Sequence, residues 1–300
     1  MIAHVFPGQG AQYVGMAGEF AAESHAARTR LEQADDLLHI PLSRVMLEGP
    51  EEVLRQTDYT QPAIFLHSLI AYELDTERQP AGAMAGHSLG EYSALCASGA
   101  VSFESALELV HVRGTLMAEA GRREPGTMAA IIGMEEAALF SLCQEVEEGT
   151  GKIVRPANLN SPGQIVISGS VEGVHDAMRI AKERGVRMAK ELAVSGAFHS
   201  PLMQYAADGL RERLASTMFV TPPTPVYSNV TAEPVTSPEE IRQLLVEQLT
   251  APVRWEPSVR NMYAAGAREF VEYGPGKVLQ GLIGRTVSDV KTSGFEKPRA

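Results

Sequence analysis

Cysteine is scarce in this chain, since only Cys96 and Cys143 occur among 300 residues. Two cysteines are too few for a disulfide framework, and neither belongs to a Cys-x-x-Cys pair of the kind that binds zinc. The composition therefore favours a reduced, cytoplasmic setting.

Apolar runs of membrane length are also absent. The longest apolar stretch, residues 63–72, is interrupted by His67 and Ser68 and falls well short of the ~20 residues needed to cross a bilayer. The N-terminus has no basic start, and Pro7 and Gly8 break its apolar stretch. We expect neither a membrane span nor a signal peptide.

Positive charge is in deficit, because 26 Lys and Arg residues stand against 37 Asp and Glu residues, a net charge of −11. Such a field repels nucleic acids and anionic membranes, so neither is expected as a partner. The share of apolar residues, 44%, and of charged residues, 21%, is typical of a globular protein. A chain of 300 residues lies near the upper limit of a single core, which suggests one large domain or two smaller ones, with an inserted subdomain as a natural arrangement.

Hydrophobic patterning predicts an α/β fold with a parallel sheet. Strands and helices alternate in the first part of the chain, at 3–6, 64–74, 82–85 and 103–120, and again near its end, at 225–228, 238–248, 269–272 and 277–285. Between these parts the order becomes β-α-β-β-α-β, which is the ferredoxin-like pattern. We predict a main subdomain formed by residues 1–124 and 196–286, a ferredoxin-like subdomain at 125–195, and a frayed tail at 287–300.

A short glycine-flanked motif follows the second predicted strand. Gly86-His87-Ser88-Leu89-Gly90 matches G-x-S-x-G between a strand and a helix. In that context the glycines permit a sharp, strained turn that presents the serine hydroxyl, and the following helix directs its first amides at any oxyanion formed there. Ser88 is therefore the candidate nucleophile, although a chance serine in a turn would carry the same pentapeptide.

A serine hydroxyl needs a positioned base, so one of the eight histidines is expected near Ser88. His199 is the best candidate because it follows the last subdomain strand, where the chain returns to the main sheet. His87 is adjacent to Ser88 in sequence and is poorly placed to reach round to its hydroxyl. The remaining histidines are interpreted as core or solvated residues: His4, His25, His39, His67, His111 and His175.

Several motifs in order along the chain are similar to those of the malonyl-CoA:acyl carrier protein transacylase family. The resemblance runs from Phe6 to about Arg285. Its motifs are Gly8-Gln9-Gly10-Ala11-Gln12, Gly86-His87-Ser88-Leu89-Gly90-Glu91, Arg113, Asn160-Ser161-Pro162-Gly163-Gln164, Ala197-Phe198-His199-Ser200 and Gly274-Pro275-Gly276. It implies an α/β-hydrolase-like main subdomain interrupted by the ferredoxin-like one.

The resemblance implies a Ser–His dyad. Ser88 would attack a malonyl thioester of coenzyme A, and His199 would take and return the proton. The backbone amides of Gln9 and Leu89 would form the oxyanion hole. A main-chain carbonyl at the position of Gln248 would orient the histidine in place of an acidic side chain.

Three further residues gain expected roles from the resemblance. Arg113 would hold the free carboxylate of the malonyl group, since a guanidinium matches a carboxylate with two parallel hydrogen bonds; on an arbitrary helix it would be a solvated or ion-paired arginine. Phe198 resembles the malonyl-selective members, in which a bulky ring leaves little room for a methyl branch, although it could equally be core. Asn160 is expected to contact the pantetheine part of the substrate. Glu91 is interpreted as a helix-start carboxylate favoured by the dipole rather than as an acid catalyst.

The leading hypothesis is a transferase without a bound cofactor, which uses a coenzyme A thioester as substrate and an acyl carrier protein, in trans, as acceptor. An acyl-thioester hydrolase with the same dyad is the alternative. Arg113 disfavours it, because a hydrolase of uncharged acyl chains needs no buried cation. A third reading, a non-catalytic carrier-docking protein, is disfavoured by the joint presence of Ser88, His199 and Arg113. Carrier proteins are usually acidic, so docking is expected at clustered cations. These are Arg179, Lys182, Arg184, Arg187 and Lys190, with Arg122 and Arg123 at the edge.

Overall fold

The structure is a computed structural model, which describes residues 1–298. Its strands are β1 (Ile2–Phe6), β2 (Ala83–Gly86), β3 (Gly126–Ile132), β4 (Val154–Ser161), β5 (Gln164–Ser170), β6 (Met188–Glu191), β7 (Val226–Tyr227), β8 (Pro234–Val235), β9 (Glu269–Tyr273) and β10 (Lys291–Phe295). Its α-helices are α1 (Gly18–Glu23), α2 (His25–Leu38), α3 (Leu42–Glu48), α4 (Glu51–Leu54), α5 (Thr57–Leu74), α6 (Gly90–Ala97), α7 (Phe103–Arg123), α8 (Glu136–Thr150), α9 (Val171–Glu183), α10 (Gln204–Ser216), α11 (Pro238–Glu247), α12 (Trp255–Ala264) and α13 (Val278–Thr286). A 3₁₀ turn spans Pro201–Met203.

The larger sheet has the strand order β10-β9-β1-β2-β7-β8 within the described residues. All neighbouring strands are parallel except β7 and β8. Side chains alternate between two cores, since Ala3 and Val5 face one helix layer while Phe6 faces the other. The predicted α/β fold with a parallel sheet is confirmed, and burial on both faces explains why its central strands lack a polar alternation.

The second sheet is antiparallel, with the order β4-β5-β3-β6. Helices α8 and α9 cover one of its faces, where Ile131 and Ile167 pack against Leu139 and Val174. The opposite face contributes Met128 and neighbouring side chains to the main core. The predicted β-α-β-β-α-β order is confirmed. Its strands fall between residues 126 and 191, whereas the exact subdomain limits at 125 and 195 stay a prediction.

Part of the segment predicted as a frayed tail, residues 287–300, forms a strand. Lys291–Phe295 forms β10, which pairs in parallel with β9 at the edge of the main sheet. Phe295 is buried, and the carbonyl of Glu296 lies 3.0 Å from Nε2 of His67. The four preceding strand residues are exposed and mostly polar, so no apolar alternation announced the strand. Residues 299–300 of the predicted tail lie outside the described residues.

Helix α5 begins at Thr57, earlier than the predicted helix at 64–74, and it continues through Pro62, the sixth residue of the helix. The helices between residues 18 and 54, and α10 and α12, were not predicted. Every helix within residues 1–298 is too short or too polar to span a bilayer. In the same range no group of three His, Cys, Asp or Glu side chains is arranged to hold a metal ion.

Candidate active site

Ser88 lies on a tight turn between the carboxyl end of β2 and the start of α6. Its backbone has a φ of 52°, a strained conformation for a residue with a side chain. A Cβ on Gly86 would lie 1.8 Å from the carbonyl carbon of Gly90, and one on Gly90 would lie 2.1 Å from the carbonyl oxygen of Phe6. Only glycine fits at both flanks, which is the physical basis of the G-x-S-x-G spacing.

His199 reaches Ser88 from the loop that follows β6, across 111 positions of sequence. Its Nε2 lies 2.8 Å from the Ser88 Oγ, and its Nδ1 lies 2.8 Å from the carbonyl oxygen of Gln248. Because a carbonyl only accepts, Nδ1 carries the proton and the Nε2 lone pair faces the serine hydroxyl. Burial and the nearby Arg113 cation lower the pKa of His199 to about 3, so the ring is neutral at physiological pH.

Arg113 projects from α7 to the same hydroxyl, and its side chain is completely buried. Nη2 donates to Ser88 Oγ at 3.0 Å and to Oε1 of Gln248 at 2.9 Å, while Nη1 donates to Oε1 of Gln61 at 2.7 Å. Its Nε has no hydrogen-bond partner among the described residues. None of the ion pairs between described residues includes Arg113. A buried cation with only neutral acceptors is costly unless an anion binds beside it.

Sequence reasoning missed a buried polar network beneath the turn. Oδ1 of Asn229 accepts from the Ser88 amide at 2.7 Å, and Nδ2 donates to the carbonyl of Gly86 at 2.7 Å. The carboxylate of Glu91 accepts hydrogen bonds from the backbone N–H of Asn229 at 3.0 Å and from Nε2 of Gln248 at 2.7 Å. Asn229 follows β7, the neighbour of β2, and a polar residue just beyond the carboxyl end of a parallel strand is the one sequence signal that points to it.

Ser88, His199 and Arg113 face a small cavity of about 110 Å³. Its other walls come from both sheets and are mostly apolar: Gln9, Gln61, His87, Leu89, Met117, Met128, Asn158, Leu192, Val194 and Phe198. Phe198 is 5% exposed and so belongs both to the core and to the cavity wall. The backbone amides of Gln9 and Leu89 form no hydrogen bond with another group of residues 1–298. Two free donors thus lie at the lining of a cavity that contains a serine hydroxyl.

A second cavity of about 260 Å³ continues from the first, and the two share Gln9, His87, Asn158 and Leu192 in their walls. Asn160 lines this outer cavity, where its Oδ1 lies 2.8 Å from Nε2 of His87. His87 therefore contacts Asn160 rather than the serine hydroxyl, as its place in the sequence predicted.

The five cations predicted for docking lie outside both cavities. Arg179 is ion-paired with Asp176 and Glu183, and Arg184 is ion-paired with Glu145. Within residues 1–298, Lys182, Arg187 and Lys190 form no ion pair, and all three are exposed.

The groups around Ser88 are suited to one kind of chemistry. A serine hydroxyl on a strained turn, a neutral imidazole in hydrogen-bond contact with it and two unengaged amides are the parts needed for acyl transfer. The buried guanidinium beside the hydroxyl adds a site for an anionic group on the acyl chain.

The chain is similar to known proteins over nearly its whole length. The model of the acyl transferase domain family matches residues 3–295 of the chain. The malonyl CoA-acyl carrier protein transacylase of Bacillus subtilis is 44% identical over 298 residues, which cover 99% of this chain and 94% of that protein.

Two solved structures are similar over nearly the whole chain. An acyl carrier protein S-malonyltransferase from Vibrio cholerae has a TM-score of 0.94 and 39% identity, covering 99% of this chain and 97% of that one. A malonyl-transacylase solved in complex with the acyl-carrier protein of a type II PKS has a TM-score of 0.95 and 40% identity, covering 99% and 96%.

Proposed function

Because the chain belongs to the acyl transferase domain family, we propose that it transfers a malonyl group from malonyl-CoA to the phosphopantetheine thiol of an acyl carrier protein. The observation that carries the proposal is the position of the Ser88 Oγ, 2.8 Å from His199 Nε2 and 3.0 Å from Arg113 Nη2. The first contact suits acyl transfer, and the second suits an acyl group that ends in a carboxylate.

Transfer proceeds in two covalent stages. Ser88 Oγ attacks the thioester carbonyl while His199 Nε2 takes its proton, and collapse of the tetrahedral intermediate breaks the carbon–sulfur bond. The departing thiolate of coenzyme A takes the proton from His199, leaving a malonyl ester on Ser88. The carrier thiol then gives its proton to His199 and attacks the ester carbonyl. Collapse of this second intermediate breaks the bond to Ser88 Oγ, which takes the proton back from His199, and leaves the malonyl group as a thioester on the carrier.

The amides of Gln9 and Leu89 stabilise the oxyanion of each stage. Both line the inner cavity beside Ser88 and have no competing partner in the described chain. Leu89 also lies at the N-terminus of α6, whose dipole favours negative charge at that point. The carbonyl of Gln248 keeps the proton on His199 Nδ1, so that Nε2 starts each stage as the base.

Arg113 binds the malonyl carboxylate. Binding exchanges its contact with the Ser88 hydroxyl for a charged acceptor and releases the serine for attack. Gln61 and Gln248 hold the guanidinium from two sides and so fix the direction of its fork. A hydrolase of uncharged acyl chains would leave this buried cation without a use.

The cavities fit the shape of the substrate. The inner cavity, about 110 Å³, accepts a short acyl group, and the ring of Phe198 on its wall disfavours a branch at C2. The outer cavity receives the pantetheine arm of the substrate. Asn160 in its wall offers the side-chain nitrogen to this arm, because its oxygen already contacts His87. No resident cofactor is part of the proposal, because the coenzyme A thioester is itself the substrate.

Docking of the acidic carrier protein is proposed at the cations of the antiparallel sheet, in particular Arg187 and Lys190, because of their positions relative to the main core and the outer cavity. Lys190 lies opposite Ala130, on the face of the sheet that packs toward the main core. Arg187 lies beside Gly133, whose amide bonds to Gly163 in the turn next to the outer cavity.

The cations of α9 lie on the far side of the same sheet. Arg179 and Lys182 lie on the exposed face of α9, which packs against the outer face of the sheet. Charge reversal at Arg187 should therefore slow transfer to the carrier more than charge reversal at Lys182, with acylation of Ser88 unchanged in both. Equal rates of discharge for wild type and both variants would dismiss this surface.

A cytoplasmic setting is part of the proposal. It is supported by the two cysteines, Cys96 and Cys143, which are both free thiols.

Intact mass spectrometry tests the main proposal. Incubation with malonyl-CoA should add one malonyl group, which Ser88→Ala abolishes, and a carrier thiol should remove it faster than water does. An adduct that persists in Ser88→Ala would overturn the mechanism, and faster loss to water would identify a hydrolase instead. Ser93→Ala, a buried serine on α6 outside both cavities, is the matched control and should acquire the adduct normally.

A further inference from the structure

The side chain of Gln248 lies at the centre of the buried network below Ser88. Its Oε1 accepts from Nη2 of Arg113 at 2.9 Å, and its Nε2 donates to Glu91 at 2.7 Å and to the carbonyl of Ser88 at 3.0 Å. Its own carbonyl accepts from His199 at 2.8 Å. A single residue therefore contacts the base, the nucleophile turn and the guanidinium.

Glu91 is one of two acceptors that set the orientation of the Gln248 amide, since the carbonyl of Ser88 accepts from the same nitrogen. An ionised carboxylate only accepts hydrogen bonds and a guanidinium only donates them. The amide must consequently point its nitrogen at Glu91 and its oxygen at Arg113. The reversed amide would set oxygen against carboxylate and nitrogen against guanidinium, which are two repulsive contacts in place of two charge-assisted bonds.

Glu91 also balances the charge of Arg113 without accepting a hydrogen bond from its guanidinium. The carboxylate is 4% exposed and is joined to the guanidinium only through the Gln248 amide, so the two ions do not form a direct pair. The Arg113 fork thus keeps donors for a substrate carboxylate, while a counter-charge nearby offsets the cost of burying the cation.

We propose that ionised Glu91 is a positioning residue that sets the amide orientation of Gln248, and through it the direction of Arg113 toward the acyl carboxylate. This inference rests on the proposed malonyl transfer and adds a selectivity device to it. Glu91 touches neither substrate nor the reacting atoms. Its effect should fall on acyl groups that carry a carboxylate and spare those that do not.

The electrostatic surroundings of Glu91 make this device sensitive to pH. Burial raises the pKa of Glu91 to about 7, while bonds from Asn229 and Gln248 and the charge of Arg113 oppose the rise. The other titratable groups near it are Tyr92 on α6, whose pKa burial raises, and His199 beyond Gln248, whose pKa is about 3. Neither changes charge between pH 5 and 8, so Glu91 is the one of these three groups that titrates there.

The experiment measures kcat/KM for acylation of Ser88 by malonyl-CoA and by acetyl-CoA between pH 5.5 and 8. In the wild type the malonyl-to-acetyl ratio should fall about tenfold from pH 8 to pH 6, as Glu91 gains a proton. In Glu91→Gln the ratio at pH 8 should drop roughly tenfold or more, and it should no longer depend on pH. Glu91→Asp keeps the charge and should retain the pH dependence.

Glu272→Gln is the matched control. Glu272 is another buried glutamate with a pKa raised to about 7, but it accepts from the first amides of α13, far from Gln248. Any change it causes in coenzyme A binding affects both donors equally, so the ratio should match the wild type.

Three outcomes would overturn the inference. They are a flat wild-type ratio from pH 8 to 6, an unchanged ratio in Glu91→Gln, and an equal loss with both donors in that variant. The wild-type pH series needs no variant and so decides the matter even if Glu91→Gln fails to fold. Failure of the wild type to accept any malonyl group would instead refute the proposed function itself.

Discussion

Replacement of Arg113 by alanine tests the role of the buried guanidinium. In the proposed complex the fork donates two hydrogen bonds to the malonyl carboxylate, and a hydrogen bond to a charged group contributes about 1.5–3 kcal/mol. Loss of both corresponds to about 3–6 kcal/mol, or roughly 10²–10⁴-fold in kcat/KM for malonyl-CoA. Acetyl-CoA has no carboxylate to lose, so its kcat/KM should fall far less.

Single-turnover acylation of Ser88, followed by intact mass with each donor, measures both constants. The variant also removes the donor to Gln61 and one donor to Gln248, and the resulting loss of stability lowers the active fraction for both donors alike. The malonyl-to-acetyl ratio cancels that effect and should fall at least about 100-fold. Arg260→Ala, which removes an exposed arginine paired with Glu256 on α12, should leave the ratio unchanged. Equal losses with both donors would refute the carboxylate contact.

Three further predictions follow from the geometry. Gly90→Ala places a methyl group 2.1 Å from a main-chain oxygen of β1 and should lower the free energy of unfolding, measured by denaturant titration, by several kcal/mol. Gly149→Ala in α8 places its methyl group where nothing lies within 4 Å and should raise the free energy of unfolding slightly. Equal effects of the two variants would contradict the steric argument. Because the pKa of His199 is about 3, the base stays unprotonated and acetyl transfer should be independent of pH from 5 to 8, whereas a tenfold fall by pH 5.5 would show an ordinary histidine pKa near 6.5. Phe198→Ser should improve acylation by methylmalonyl-CoA relative to malonyl-CoA by roughly 10-fold, corresponding to about 1–3 kcal/mol for one methyl group, and an unchanged ratio would assign Phe198 to the core alone.

The main features of the fold could be predicted because they depend on local patterns. Small buried residues in β2, the short apolar run of β1 and the element order of 126–191 are each visible in the local sequence pattern. The edge strand β10 could not, because its pairing depends on the exposed backbone of β9 rather than on its own polar side chains. The early start of α5 could not be predicted either, because Thr57, Asp58, Thr60 and Gln61 are polar and Pro62 ordinarily interrupts a helix.

The turn at Ser88 follows from the local sequence to a large extent, because a side chain at Gly86 would collide with the backbone of Gly90, although the limit at Gly90 itself is set by Phe6 of β1. Which partners surround the Ser88 hydroxyl depends on the tertiary structure. His199, Asn229 and Gln248 come from loops more than 100 residues away from Ser88. Glu91 is adjacent to the motif, but its hydrogen-bond partners are two of these distant residues, Asn229 and Gln248. The physical reason is that hydrogen-bond donors and acceptors have direction, and direction is set by the packing of distant elements and not by spacing along the chain.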